Sequence, residues 1–353
     1  MFVSPDCEKL QYSGRIDHTK KDAPVFVYPC SYVKIRFTGS RLAVLLENHR
    51  AYWDNYMGYL LDGKQEKFKL AESGKHTYLI DVPKTADADS KVHECMLFKR
   101  MDACHHVIFY GFELEDGSNV LDLQKLPVRK MEFYGDSVSA GEVSEACAYV
   151  GKEDPIHQGE FSNSWYSYAW MTARKLGAAI HDIAQGGIAL MQQTGWFCEP
   201  DALGMENIYD KVEYHPQLGN SMFWDFSAYT PHVVVIAIGQ NDSHPRDYMA
   251  DDPKGDKAQI WKEHYATFVR SIRAKYPAAV IILTTTILQH HVHWDEAIEE
   301  VWARLQDARI YHFLYSRNGC GTPGHIRIPE AEQMAEELSA FIEGLGADIW
   351  KEK

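Results

Sequence analysis

From residue 128 to its end the chain alternates short apolar runs with longer amphipathic ones, and few folds accept that alternation. "RKMEFYGDS", "AIHDIAQGG", "HVVVIAIGQND" and "AVIILTTTIL" read as strands, three of which run out into glycine-rich or polar turns. Around them "WYSYAWMTARKLGA", "DKAQIWKEHYATFVRSIRAKYP", "DEAIEEVWARLQ" and "PEAEQMAEELSAFIEGLG" carry helical spacing, the first ending at Gly177 and the second stopped by Pro277. Strands without polar alternation are buried on both faces. The pattern therefore predicts a doubly wound parallel sheet covered by helices on both sides.

The residues before about 115 have a different texture, with strand periodicity and no helical segment between strands. "YMGYLLDGKQEKFKL" is a hairpin around Asp62-Gly63, and "HTYLIDV", "HECMLFKR" and "HVIFYGFEL" continue the series. A β-sandwich of jelly-roll type is the expectation. A chain of 353 residues exceeds what one core usually fills. Two domains are expected, 1–120 as the β-sandwich and 128–353 as the α/β part, joined through "LEDGSNVLDLQKLP" at 114–127.

Charge and cysteines narrow the partners. The net charge of −14 argues against nucleic acid and against anionic membrane surfaces, which call for a basic face. No stretch approaches the ~18 apolar residues of a spanning helix. Cys7, Cys30, Cys95, Cys104, Cys147, Cys198 and Cys320 are scattered and include no CxxC pair, so neither a disulfide framework nor a structural zinc site is suggested. The start, "MFVSPDCEKLQYSGR", lacks a basic segment followed by an apolar run. Reduced thiols and a cytoplasmic location are the expectation.

Open parallel sheets hold their ligands beyond the carboxyl ends of the strands. Three polar clusters fall there: Gly135-Asp136-Ser137, Gln185-Gly186-Gly187 and Gly239-Gln240-Asn241-Asp242. A fourth, "GTPGHIRIPEAEQMAEEL", precedes the last helix and contains His325. Together they supply a hydroxyl, unobstructed backbone N–H groups, a carboxamide and an imidazole, the parts of an acyl-transfer site. Ser137 by itself reads equally well as a helix cap. Its company with Asn241 and His325 makes the nucleophile the stronger reading.

Those four clusters, in that order, resemble the SGNH (GDSL) hydrolases. "FKRMDACHHVIFYGFELEDG" and "GRIDHTKKDAPVFVYPCSYVKIRFTGSRLAV" are similar to the jelly-roll portion of family 2 carbohydrate esterases, so the likeness covers nearly the whole chain. The resemblance implies O-deacetylation of plant-polysaccharide sugars, with an acetylated oligosaccharide as the partner and neither cofactor nor metal. It implies Ser137 as nucleophile, His325 as base, and an oxyanion hole from the N–H groups of Ser137 and Gly187 and the Asn241 side chain, with Gly186 second to Gly187. Many relatives carry Asp three residues before the histidine, where this chain has Thr322. Either a backbone carbonyl near 320–323 or an acid from elsewhere must then orient the imidazole; a Ser-His dyad is expected, with a main-chain carbonyl within 320–323 or an adjoining loop as acceptor and a titration near or below about 6.5.

Other residues have two readings. Trp196, Phe223, Trp224 and Trp294 follow strand ends and are candidates for stacking on sugar, although plain packing explains any one of them. Asp136 is a candidate for substrate contact, although fixing the turn is its more usual role. In "LQHHVHW", His291 and His293 would share one face of a strand, but no partner at metal-ligand spacing accompanies them, so the segment is assigned to the rim. The acidic face of the last helix is read as solvated. Two other function classes stay open: a carbohydrate-binding protein with a decayed esterase site, which Thr322 would suggest, and a lipase or thioesterase on the same fold.

Overall fold

Alternating side chains in the first part of the chain sort its strands into two antiparallel sheets with a shared core. The computed structural model describes residues 1–83, 92–219 and 221–351. One sheet runs Ile16–Asp17, Val25–Phe26, His105–Leu114, Leu42–Arg50, Gly74–Ile80, with Phe2–Val3 also on His105–Leu114. The other runs Val120–Leu121, Tyr32–Thr38, Val92–Lys99, Tyr56–Leu61, Lys64–Lys69, with Gln11–Ser13 also on Tyr32–Thr38. Along Tyr32–Thr38, Val33, Ile35 and Phe37 enter a core that also holds Val44, Leu46, Leu97, Val107 and Phe109. The period of two puts these residues on one face. Asp62 and Gly63 both have positive φ, 52° and 84°, and close the expected hairpin between Leu61 and Lys64.

The later part forms one five-stranded parallel sheet in the order Ala178–Ala184, Arg129–Gly135, Val233–Ala237, Val280–Thr284, Ile310–His312. Its central strand explains the unbroken apolar runs. Val233, Val235 and Ala237 pack on one side with the helices Tyr168–Lys175 and Ile328–Gly344, while Val234 and Ile236 pack on the other with Asp256–Lys275 and His293–Leu305. Each alternate residue meets a helix layer, so no position is left for a polar side chain. Because the chain passes from Arg129–Gly135 to one neighbour and then returns to the other, a crevice opens above Gly135 and Ala237.

Two details depart from the sequence reading. The 114–127 connection contributes a short strand, Val120–Leu121, to the second antiparallel sheet. "LQHHVHW" is not a strand: Val280–Thr284 ends before it and His293 opens a helix, so His291 and His293 do not alternate on a strand face. Their rings lie 4.4 Å apart, and among the described residues no group of three or more side chains could hold a metal ion. Among the same residues no helix is long and apolar enough to cross a membrane.

Candidate active site

The turn after Gly135 is built by Asp136. Its Oδ1 accepts from the Val138 N–H at 3.0 Å and starts the short helix Ser137–Ala140. Its Oδ2 accepts from Gln240 Nε2 at 2.5 Å and Asn241 Nδ2 at 3.1 Å, tying two strand ends together. Burial pushes its carboxyl up to about 6 despite those bonds. Asp136 is thus enclosed in the turn and absent from the cavity wall, which corrects its assignment to substrate contact. Ser137, the next residue, faces a cavity of about 560 Å³ at the carboxyl ends of the strands. A larger cleft of about 710 Å³ lies at the amino ends, lined in part by Tyr32, Trp165 and Arg174, and contains none of the predicted site residues.

Gly186 and Gly187 border the same cavity, and the structure separates their roles. The Gly186 N–H donates to Asp102 Oδ2 at 2.7 Å and is unavailable. The Gly187 N–H has no acceptor among the described residues, and the N–H of Ser137 begins its helix with no carbonyl a turn behind it. Gly187 has a φ of +70°, and a Cβ there would lie 2.9 Å from Trp196 Cβ, so only glycine suits the turn. Asn241 reaches the cavity, but its Nδ2 already donates to Asp136 Oδ2 and to the Ile188 carbonyl, each at 3.1 Å. Asp242 turns inward and accepts from the Leu190 and Met191 N–H groups, holding the loop that follows Gly187.

His325 contradicts the expected dyad. Its Nδ1 lies 2.6 Å from Asp154 Oδ2, and its backbone N–H donates to Asp154 Oδ1 at 3.0 Å. Arg327 donates to the same carboxylate at 2.8 Å. Thr322 is engaged elsewhere: its N–H and Oγ1 donate to Glu330 at 3.0 and 2.7 Å, and Oγ1 accepts from the Gly151 N–H at 2.9 Å. Thr322 therefore ties the histidine loop to the last helix and to the segment that carries Asp154. The orienting group is a carboxylate, not a carbonyl of 320–323.

A second carboxylate stands on the other side of the ring. Glu142 Oε1 is 3.6 Å from His325 Nε2. Burial works against the imidazolium, but Glu142, the Asp154 hydrogen bond and the Asp154 charge outweigh it and hold His325 up at about 9. Burial also raises Asp154, yet the bonds from His325 and Arg327 leave its carboxyl well below the usual range. Glu142 is pushed up by burial against the pull of His325, with Asp102, Asp154 and Asp136 adding to the rise. These charges run against the expectation of a histidine titrating near or below about 6.5.

The rim divides the aromatic candidates. Trp196 lines the cavity, 57% exposed and stacked on His244. Trp224 does not line it; it lies under the Arg15 guanidinium and against His181. Trp294 is fully buried between Trp261 and Tyr248, its Nε1–H donating to Asp247 at 3.1 Å. Phe223 is exposed on a two-stranded ribbon away from the cavity. From "LQHHVHW" only Leu288 and Gln289 reach the wall. Tyr52 and Trp53, from the turn after Leu42–Arg50, complete the rim and were missed. The one signal for them was the aromatic cluster "AYWDNY" between two strands.

Residues 12–123 match the family model "Carbohydrate esterase 2 N-terminal". The chain is 28% identical over 348 residues to "Cellulase/esterase CelE" of Acetivibrio thermocellus, covering 94% of this chain and 39% of that protein, so it spans about two fifths of that relative's length. It is 25% identical over 339 residues to the "Acetylxylan esterase / glucomannan deacetylase" of Cellvibrio japonicus, covering 94% and 87% of the two chains. A family two carbohydrate esterase from Clostridium thermocellum, solved with cellohexaose, superposes with a TM-score of 0.80 at 26% identity, over 97% of this chain and all of that one. With Ser137, the glycine loop, Asn241 and His325 around one cavity beside a β-sandwich, the chain is similar to the family 2 carbohydrate esterases along nearly its whole length, and its residues 12–123 match that family's N-terminal domain.

Proposed function

We propose that this chain removes O-acetyl groups from plant-derived oligosaccharides through an acetyl-serine intermediate. One observation carries the reading: Ser137, Gly187, Asn241 and a carboxylate-oriented His325 share one cavity. Ser137 Oγ attacks the acetyl carbonyl as its proton passes to His325 Nε2. The oxyanion accepts from the N–H groups of Ser137 and Gly187, and from Asn241 once that amide releases Asp136 or Ile188. The bond to the sugar oxygen then breaks as His325 returns the proton to that oxygen. A water deprotonated by His325 attacks acetyl-Ser137, releasing acetate and the free serine. Asp154 holds the tautomer with Nε2 open to the hydroxyl.

Trp196, Tyr52 and Trp53 would face the sugar, and a neutral substrate suits an acidic chain. Residues 1–120 and 128–353 are read as two domains that share this cavity, since Tyr52 and Trp53 come from the first. Seven free cysteines support a reducing, cytoplasmic setting and short imported oligosaccharides as substrates. Thiol counting on the natively purified protein checks that setting, and one stable bridge would overturn it.

NMR-followed deacetylation of acetylated xylo-, manno- and gluco-oligosaccharides tests the reaction. Preference for octanoyl over acetyl p-nitrophenyl esters would favour a lipase or thioesterase instead. The Glu142 carboxylate 3.6 Å from Nε2 is the one feature that favours a binding protein with an idle site. Reaction of Ser137 with a serine-directed organophosphate separates the two.

A further inference from the structure

The glycine loop that presents the Gly187 N–H is held from outside the parallel-sheet region. Asp102 lies in the turn between the strands Val92–Lys99 and His105–Leu114, both in the antiparallel sheets. Its Oδ2 accepts from the Gly186 N–H at 2.7 Å and from Gln185 Nε2 at 2.8 Å, and its Oδ1 accepts from the Cys104 N–H at 3.1 Å. The turn is itself clamped, because the buried Lys99 ammonium donates to the Met101 and Asp102 carbonyls. Gln185 is further fixed by the Tyr214 hydroxyl, which donates to its Oε1 at 2.9 Å.

The glycine at 186 fits this arrangement. A Cβ there would lie 2.6 Å from both Asp102 Oδ2 and Glu142 Oε2, so the loop threads between two carboxylates with no room for a side chain. The plane of the peptide before Gly186 is set by the Asp102 bond, and the next N–H along is that of Gly187. An oxyanion donor must sit within a few tenths of an ångström of its place to lower the barrier. We propose that Asp102 is a positioning residue for the reaction, through which the antiparallel-sheet region aims the Gly187 N–H at the oxyanion.

This inference rests on the esterase reading. Asp102→Asn keeps the side-chain shape but leaves one acceptor oxygen for three donors, setting an NH2 against either the Cys104 N–H or the Gly186 N–H and Gln185 amide. It should lower kcat on p-nitrophenyl acetate by about 10- to 100-fold with KM within about threefold, because an ångström of misplacement can cost about 10² in rate. Phosphonylation of Ser137 by an organophosphate should slow in the same proportion, since the phosphoryl oxygen uses the same donors. Gln65→Ala removes another bond across the same junction, the one Asn163 Nδ2 makes to Gln65 at 2.9 Å, and should leave kcat unchanged. A folded Asp102→Asn protein with wild-type kcat, a loss confined to KM, or an equal loss in Gln65→Ala would overturn the inference. A wild-type chain inert to both ester and organophosphate would remove the esterase reading and this inference with it, a result visible before any variant is made.

Discussion

Asp154 Oδ2 lies 2.6 Å from His325 Nδ1 although 171 residues separate the two in the chain. The same carboxylate accepts from the His325 N–H and from Arg327, so one side chain sets both the ring and the loop that carries it. Asp154→Asn should lower kcat by up to about 10⁴, the loss seen when an orienting aspartate becomes an amide and the wrong tautomer is held. Single-turnover acetylation of Ser137 checks this. A loss below threefold would mean that another group orients the ring.

Thr322→Asp should not restore the Asp154→Asn variant. Thr322 is buried and bonded to Glu330, so an aspartate there meets a carboxylate instead of the imidazole. The expected result is a lower Tm with no gain in kcat, read from thermal unfolding beside the rate. Restored activity would show that the loop turns inward.

As the proposed base, His325 would work only as the neutral imidazole, and a folded value of about 9 keeps it protonated at neutral pH. kcat/KM should therefore climb with pH through a limb near 9. Glu142→Gln removes a charge that stabilises the imidazolium, so the limb should move to lower pH by a unit or more and activity at pH 7 should rise. The sign for stability follows from linkage. A value raised above the unfolded one of about 6.5 contributes stability below that pH, and the contribution is lost as pH rises through about 9. A limb that stays in place in Glu142→Gln would show that Asp154 alone sets it.

Asn241→Ala should lower kcat by roughly 10²–10³ with KM nearly unchanged, the usual loss for one oxyanion donor. Its amide also bonds Asp136 and Ile188, so a purely structural role predicts a lower Tm at constant kcat. Steady-state kinetics paired with thermal unfolding distinguishes the two.

Trp53→Ala and Trp294→Ala should fail in opposite ways. Trp53 lines the cavity from the turn after Leu42–Arg50, so its loss should raise KM for acetylated oligosaccharides and leave p-nitrophenyl acetate turnover alone. Trp294 is enclosed, so truncating it should cost about 3–5 kcal/mol of stability with sugar binding retained in the folded fraction. Equal KM effects would contradict this division.

Local pattern carried the sheet and the turns. Each strand of the parallel sheet must bury both faces, so Val233–Ala237 could be read from its apolar run alone, and Asp62-Gly63 from the positive φ its hairpin demands. The turn residues Gly135, Gly187 and Asn241 were legible for the same reason: strand ends in such sheets converge on one crevice. Trp224 and Trp294 were misassigned because a tryptophan after a strand end has the same local signature whether it faces sugar or core.

The sequence by itself determined which segments are strands, which turns lie at their carboxyl ends, and which hydroxyl, glycine, amide and imidazole those turns carry. Each of these follows from periodicity and turn chemistry within a few residues. Only the tertiary structure decided what surrounds the imidazole and the glycine loop. Asp154, Glu142, Asp102, Tyr52 and Trp53 reach the site from loops with no fixed spacing to His325 or Gly187. Charges and hydrogen bonds act through space over a few ångströms, so groups distant in the chain set the base's titration and the loop's aim once folding brings them together.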